Sequence, residues 1–493
     1  MRDPAQANGM PASPVQHLQQ WQRPEPCSSW KLILMLSVDI EQIKKYNVPG
    51  PRYTSYPAAN HFKPGFSEQT VTDRLTADYA AERDLSLYFH IPFCQSLCWY
   101  CGCNTVITKN QGRSETYIGY LAKELELVSK VLNPRRKVTQ LHFGGGTPTF
   151  LQPDEIRTLG DLVRARFEFA ADIEASVEID PRRLTRDHLS ALRDIGMNRV
   201  SIGVQDFDPK VQAAVNRVQP FEQTREVIDW IRAAGFQSLS IDLIYGLPFQ
   251  TEDSFRKTLK LTLSLNPDRL AVFSYAHVPW IKPSQRLLKD ETMPSAEMKF
   301  AILKLGVETL TRGGYTYIGM DHFAKKGNEL EIAQREGKLQ RNFQGYSTSA
   351  GTDIQSFGVS SISQTPDMYW QNEKDLKRYY AQLDEDLLPI ANGYVLSAED
   401  KIRRQVIMRL MCDMSLDFET MSKALGFDFA EHFKSELRAI ETLEADGLVR
   451  SSANGFDVTD LGRLLIRNVA MCFDEYLGAK ADPNRKVVYS RTI

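Results

Sequence analysis

An open three-quarter (β/α)6 barrel, with an N-terminal arm and a mainly helical, winged-helix-like C-terminal domain, is the fold class that this 493-residue sequence predicts. Three observations predict it. From residue 85 to about 313, short β-rich apolar runs alternate six times with longer stretches of helical period. Such a series folds as a parallel sheet with right-handed crossovers, and six units are too few to close an eight-fold barrel. The length exceeds what a single core usually supports, so further domains are expected on either side.

The strands are expected at 85–91, 140–143, 176–179, 199–204, 238–244 and 270–275, and the helices at 114–132, 154–167, 185–195, 209–233, 252–265 and 296–312. In the first helix Tyr117, Leu121, Leu125 and Val128 recur at helical spacing and mark its buried face. Residues 1–34 are rich in proline and glutamine and have no helical period. They are expected to be a disordered tail or a misassigned start, with Met35 as the initiator; the apolar run at 32–36 is too short for a signal-peptide core. Residues 35–84 form an arm or lid. Within it, prolines deny Gly50-Pro51-Arg52-Tyr53-Thr54-Ser55-Tyr56-Pro57 a regular ladder. This stretch is either a packing clamp across the barrel mouth or a lid whose Arg52 meets an acidic substrate.

The catalytic barrel with its cover segment is expected to span 85–366, and the mainly helical domain 367–493. Helices near 398–412, 417–425 and 429–445 precede a hairpin turning at Asn454-Gly455. That order resembles a winged helix, but residues 397–480 hold eleven Lys and Arg against fifteen Asp and Glu. A DNA reader needs a basic face, so this domain is expected to be a scaffold or cover with no nucleic-acid partner. The net charge of −2 gives no global case for one either. No apolar run approaches bilayer length, so no membrane partner is expected. Cysteine usage suits a reducing cytoplasm.

Four of the seven cysteines fall in Cys94-Gln-Ser-Leu-Cys98-Trp-Tyr-Cys101-Gly-Cys103. The C-x3-C-x2-C spacing puts three thiolates on one loop, able to grip three corners of a cubane iron–sulfur cluster and leave one iron open. A zinc module would need a second half, whereas Cys27, Cys412 and Cys472 stand alone. Few and scattered cysteines also argue against a disulfide scaffold. In parallel barrels the chemistry sits at the carboxyl ends of the strands. Those ends carry Gly144-Gly145-Gly146-Thr147, Glu178 and Asp180, Gln205 and Asp206, Asp242 and Tyr245, and Tyr275-Ala276-His277. Each alone reads equally well as a cap or a satisfied polar group. Together at one end of one sheet they suit ribose hydroxyls, an ammonium group and adenine. Arg217 reads as a bidentate carboxylate ligand or as a solvated helix residue.

The cysteine spacing resembles the signature of the radical S-adenosylmethionine (SAM) enzymes. GPRYTSYP at 50–57, SLYFHIPFC at 86–94, CWYCGCN at 98–104, HFGGGTPT at 142–149, SVEIDP at 176–181, GVQDF at 203–207, DLIYGLP at 242–248, GMDHFA at 319–324 and RNFQGY at 341–346 narrow the match. LLIRN at 464–468 and MCFD at 471–474 extend it. From about residue 37 onward the chain resembles the oxygen-independent coproporphyrinogen III oxidase (dehydrogenase) family. The resemblance implies one [4Fe-4S] cluster, two SAM molecules and a 5′-deoxyadenosyl radical. It implies conversion of two propionates of coproporphyrinogen III to vinyl groups in heme biosynthesis, giving protoporphyrinogen IX. Carried over by position, Cys94, Cys98 and Cys101 would hold the cluster and Cys103 would hold no iron. Tyr88, Tyr100, Gly145, Glu178 and Ile362 would line the first SAM. Gly146, Thr147, Gln205, Arg217, Asp242 and Ala276 would line the second. Tyr88, His90, Cys103 and Arg52 are the residues expected nearest the chemistry. A reduced flavodoxin- or ferredoxin-type electron donor is expected, and with no obvious coiled coil to demand a dimer, a cytoplasmic monomer. Heme chaperones and heme-degrading methyltransferases share such a core. The chaperones usually lack Cys103 and the arm around 52–57, so the oxidase is favoured. A DNA-binding regulator with an iron–sulfur sensor rests on the winged-helix likeness alone.

Overall fold

The computed structural model describes residues 40–79, 82–133, 135–477 and 489–492. The expectations for residues 1–34 therefore lie outside the described residues. Six parallel strands pair in chain order: β1 (Leu85–Ile91), β2 (Lys137–Gly145), β3 (Glu168–Ile179), β4 (Arg199–Gln205), β5 (Ser238–Tyr245) and β6 (Arg269–Ser274). The connecting helices are α1 (Gly112–Val131), α2 (Pro153–Arg164), α3 (Arg186–Asp194), α4 (Pro209–Ala214), α5 (Phe221–Ala233), α6 (Glu252–Ser264) and α7 (Ala296–Arg312). The single helix expected over 209–233 is broken. Asn216 takes φ 56° and Pro220 follows, so the stretch divides into α4 and α5 with Arg217 in the link.

Strand alternation explains both the core and the cavity. In β1 Leu85, Leu87, Phe89 and Ile91 are fully buried against the helices, while Tyr88 and His90 face the barrel interior. The same period puts Leu141 and Phe143, Val177 and Ile179, Val200 and Ile202, and Ile241 and Leu243 in the core. Phe89 stacks on Phe357 at 4.8 Å and meets Phe143 edge-on at 5.3 Å. Each such buried side chain contributes about 1.5–3 kcal/mol. The opposite face holds Gln140, His142, Ser176, Glu178, Ser201, Ser240 and Asp242, all lining one cavity.

The sheet extends beyond the six strands. Asp353–Phe357 pairs parallel with β1, Gln355 opposite Leu87. Ile362–Gln364, Met368–Asn372, Ile390–Val395 and Lys63–Pro64 then continue that edge antiparallel. His322–Lys325 and Tyr315–Gly319 extend the other edge, giving thirteen strands in one open sheet. The sheet thus runs past residue 366, where the helical domain was expected to begin, to Val395. Met368–Asn372 and Ile390–Val395 pair with each other across a helix, Leu376–Asp384, and two strands of five or six residues carry little local signal beside it.

Past the sheet, Ala398–Asp413, Phe418–Leu425 and Lys434–Ala445 pack with a three-stranded sheet of Ser415–Asp417, Val449–Ser452 and Gly455–Val458. Phe429, Phe433, Phe456, Phe473, Ile407 and Leu410 form its core. Ser452 pairs with Gly455, so the hairpin turns on Ala453-Asn454, one residue earlier than expected. Gly455 is a strand residue there, paired with Ser452 and Asp417, and glycine is required because a Cβ would lie 2.1 Å from the Leu416 carbonyl oxygen.

The arm is fastened to this C-terminal unit. Buried Arg467 donates to the carbonyls of Pro51 at 2.9 Å, of Gly50, and of Arg491 at 2.9 Å. Tyr53 donates its hydroxyl to Asp474 at 2.9 Å, and Asn468 Nδ2 donates to the Tyr46 carbonyl at 3.0 Å. Arg467→Met keeps apolar bulk but leaves buried carbonyls unpaired. It should cost about 2–4 kcal/mol of stability and make the arm sensitive to trypsin. Thermal unfolding and limited proteolysis measure both; an unchanged melting temperature with a protected arm would contradict the clamp.

Candidate active site

β1 ends at Ile91 and delivers the chain into the cysteine loop. The loop is closed at its base by the short parallel pair Phe93–Cys94 and Val106–Ile107. Val106 N donates to Pro92 O at 2.7 Å and Thr108 N to Cys94 O at 2.9 Å. Within the loop Cys101 N donates to Cys98 O at 3.0 Å, drawing the two cysteines into one tight turn. Outside groups hold its shape: Asn216 Nδ2 on Leu97 O at 2.7 Å, Gln285 Nε2 on Tyr100 O at 2.9 Å, Lys282 Nζ on Cys103 O at 2.9 Å. Cys98 is buried, Cys94 and Cys101 are half-buried and Cys103 is exposed.

Electrostatics around the sulfurs are uneven. Arg217 Nη1 lies 3.6 Å and Arg182 Nη2 3.8 Å from Cys98 Sγ. Asp180 holds both guanidiniums, at 3.3 Å from Arg217 Nη1 and 2.5 Å from Arg182 Nη2. Burial opposes the Asp180 charge, but the two arginines outweigh it and hold its carboxyl down at about 2. The hydrogen bond between Cys101 and Cys103 pulls the Cys101 thiol down to about 6 and pushes that of Cys103 up. Burial pushes Cys94 up to about 11 despite its contact with Thr147 Oγ1 at 3.4 Å. Among the described residues no three His, Cys, Asp or Glu side chains converge closely enough to share one metal ion.

Beside the loop, the glycine run ends β2. Gly145 takes φ +116°, and a Cβ there would lie 2.7 Å from the His90 ring. A Cβ at Gly146 would lie 2.6 Å from Pro92 O. Glu178 accepts from Gly145 N at 3.1 Å and from His142 Nε2 at 3.3 Å. Enclosure would raise its pKa; these donors overcome that and hold it below the usual range. Tyr88 stacks on His142 at 5.6 Å and reaches His90 Nδ1 at 3.2 Å, while His90 Nε2 lies 2.9 Å from Asn104 O. Asp242 accepts from Ser201 Oγ at 3.0 Å; enclosure and the Glu178 charge push its carboxyl up to about 7.

A cavity of about 530 Å³ runs down the barrel from this region. Of the residues expected at the site, Arg52, Tyr88, His90, Glu178, Asp242 and Ile362 line it. Arg52 does so while paired to Asp321. Cys94, Cys98, Cys101, Cys103, Tyr100, Gly145, Gly146, Thr147, Gln205, Arg217 and Ala276 are not among its lining residues. Several of these gather around the cysteine loop: Thr147 Oγ1 meets Cys94 Sγ at 3.4 Å, Arg217 Nη1 meets Cys98 Sγ at 3.6 Å, and Tyr100 packs with Val215 and Tyr275. Arg217 is buried rather than solvated, and Gly203 O accepts from its Nη2 at 2.5 Å. Sequence reasoning passed over His142 and Arg182. The inward alternation of Gln140, His142 and Gly144 was the available signal for the first; nothing local marked the second.

Residues 88–262 match the Radical SAM superfamily, and residues 396–465 the HemN C-terminal domain. The chain is 45% identical to an oxygen-independent coproporphyrinogen III oxidase of Synechocystis, over 92% of its own length and 97% of that protein's. It is 48% identical to the Escherichia coli K12 protein so named, over 92% and 98%. The chain belongs to the oxygen-independent coproporphyrinogen III oxidase family. The solved Escherichia coli coproporphyrinogen III oxidase (HemN), titled a radical SAM enzyme, superposes with a TM-score of 0.84 at 46% identity, covering 89% of this chain and 99% of that one.

As radical SAM proteins, oxidases of this family use a [4Fe-4S] cluster and SAM. The residues here fit both groups. The loop offers thiols, the ligands such clusters take. Two guanidiniums reach one sulfur, the kind of neighbour that tunes a cluster. The glycines clear a cradle that any Cβ would fill, and Arg217 Nε is buried without a partner.

The state of Asp242 carries a pH signature. Its folded pKa, about 7, stands above the ordinary 3.8. As the pH rises between those values the unfolded chain releases this proton and the folded chain keeps it, so stability falls. Asp242→Asn should flatten that slope and stabilise the protein above pH 7 by about 1–3 kcal/mol. Denaturant unfolding from pH 4 to 8 measures it; parallel curves for variant and wild type would contradict the assignment.

Proposed function

We propose that this chain oxidatively decarboxylates two propionate side chains of coproporphyrinogen III to vinyl groups, without oxygen, giving protoporphyrinogen IX. The end-to-end likeness to curated oxidases, over 97–98% of their own lengths, carries this reading. When bound, the cluster and SAM supply a carbon-centred radical able to take a hydrogen atom from a propionate.

The protein's own residues do the rest. Cys94, Cys98 and Cys101 would hold the cluster, and Cys103, exposed at the end of the loop, would hold no iron. Arg217 and Arg182 offset negative charge at Cys98. Tyr88, Tyr100, Gly145, Glu178 and Ile362 line one SAM; Gly146, Thr147, Gln205, Arg217, Asp242 and Ala276 line a second. Carboxylates at Glu178 and Asp242 accept from hydroxyl and ammonium groups. His90, braced by Tyr88 and Asn104 O, and Arg52 position the reacting region. Arg52 and Thr54 of the arm line the cavity, so the arm covers part of the site.

An electron must enter from outside. The family resemblance supports a reduced flavodoxin- or ferredoxin-type donor, a monomer and a reducing cytoplasm that leaves the thiols free for iron. No helix among the described residues is long and apolar enough to cross a membrane.

Anaerobically reconstituted protein, given SAM, dithionite and coproporphyrinogen III, should yield protoporphyrinogen IX with 5′-deoxyadenosine by mass analysis. Tight heme binding without turnover would overturn the reading. Cys98→Ser should lose bound iron and all activity, whereas Cys103→Ser should retain most of its iron. Iron loss in Cys103→Ser would overturn the ligand assignment.

A further inference from the structure

Four arginines line the barrel cavity: Arg52, Arg199, Arg269 and Arg341. Three are paired. Arg52 meets Asp321. Arg199 and Arg269 share Glu174, at 3.8 and 3.6 Å, and both reach Glu329, Arg269 at 2.9 Å. Among the described residues Arg341 is the cavity arginine with no carboxylate partner. It is 6% exposed, and its Nε and Nη1 are buried without a hydrogen-bond acceptor. Among the described residues the one hydrogen bond of its guanidinium is Nη2 to Arg52 O at 3.4 Å.

The position is built. Arg341 lies on the hairpin Gln340–Asn342 and Gly345–Ser347, directly opposite Tyr346. Its guanidinium sits 4.7 Å over the Tyr346 ring, and His322 meets the same ring edge-on at 5.3 Å. Tyr346 is anchored by its hydroxyl to Met411 O at 2.8 Å. Gly345, at φ +106°, lets the hairpin pass His322, whose Nε2 would lie 3.2 Å from a Cβ there. His322 Nδ1 also lines up as a buried nitrogen without a partner.

An enclosed cation with unmatched N–H groups is costly unless an anion completes it. A guanidinium fork is shaped for a carboxylate. We propose that Arg341, with His322 beside it, is the anchor for a propionate carboxylate of the substrate that is not being decarboxylated. This rests on the function proposed above. The choice of a spectator propionate follows from charge. An arginine pair stabilises a carboxylate in the ground state more than in a transition state that is discharging it as CO2, so on the reacting arm it would slow the reaction.

The test uses the reconstituted holoenzyme with coproporphyrin III, the stable oxidised ring, and its tetramethyl ester in one detergent buffer. Arg341→Gln should weaken binding of the acid at least tenfold, leave the ester unchanged, and so erase the preference of the wild type for the acid. Arg341→Lys should fall between the two. With coproporphyrinogen III, Arg341→Gln should raise KM at least tenfold and change kcat less than threefold. Cluster absorbance and thermal unfolding establish that the variants are folded. A folded Arg341→Gln that keeps the preference for the acid, or that loses kcat with KM unchanged, would overturn the proposal. Wild type that prefers the acid but forms no protoporphyrinogen would instead overturn the function, leaving the carboxylate anchor standing.

Discussion

A sheet whose inward face is polar has to surround something, and this constraint organises the molecule. β1, β2, β3 and β5 send apolar residues outward against helices and polar residues inward, while β6 adds Ala271 and Phe273 to the lining beside Arg269. Were the interior packed with side chains alone, the glutamates, aspartate, histidines and arginines there would carry a large desolvation cost. A cavity of about 530 Å³ relieves it, and ligands that bring matching hydrogen bonds relieve it further. The same alternation that fixes strand register therefore fixes the position of the site. A one-residue slip in β1 would bury Tyr88 and His90 among the helices and turn Phe89 into the cavity.

The cysteine loop depends on that register. It leaves the carboxyl end of β1, is closed by backbone bonds at its base, and is held from outside by Asn216, Gln285 and Lys282. Arg217 connects the loop to β4 through Gly203 O and to Asp180 past β3. The sulfurs are thus placed by elements far apart in the chain, while their spacing is local. Opposite, the C-terminal unit holds the arm through Arg467 and Tyr53, so the site's cover and its scaffold are one structure.

What was legible in the chain followed from short-range pattern. The strands and helices of the six units, the cysteine spacing and the glycine run are each read from local pattern, and the structure places the cysteine loop and the glycine run side by side at the carboxyl ends of β1 and β2. Partnerships were not legible. Arg217 reads alike as solvated or buried until the break between α4 and α5 turns it toward Cys98. The strand Asp353–Phe357 announces itself weakly because its parallel partner, β1, was built more than two hundred residues earlier. Arg341 is one arginine among several in sequence; the absence of a carboxylate beside it is a property of packing alone.

The central claim is that three sulfurs hold a cluster with one iron open to SAM. The most direct measurement is electron paramagnetic resonance of the anaerobically reconstituted, dithionite-reduced protein before and after SAM is added. A reduced [4Fe-4S] signal whose shape changes on adding SAM is the predicted result. A cluster signal indifferent to SAM, or a protein that binds zinc and shows no cluster signal, would contradict it.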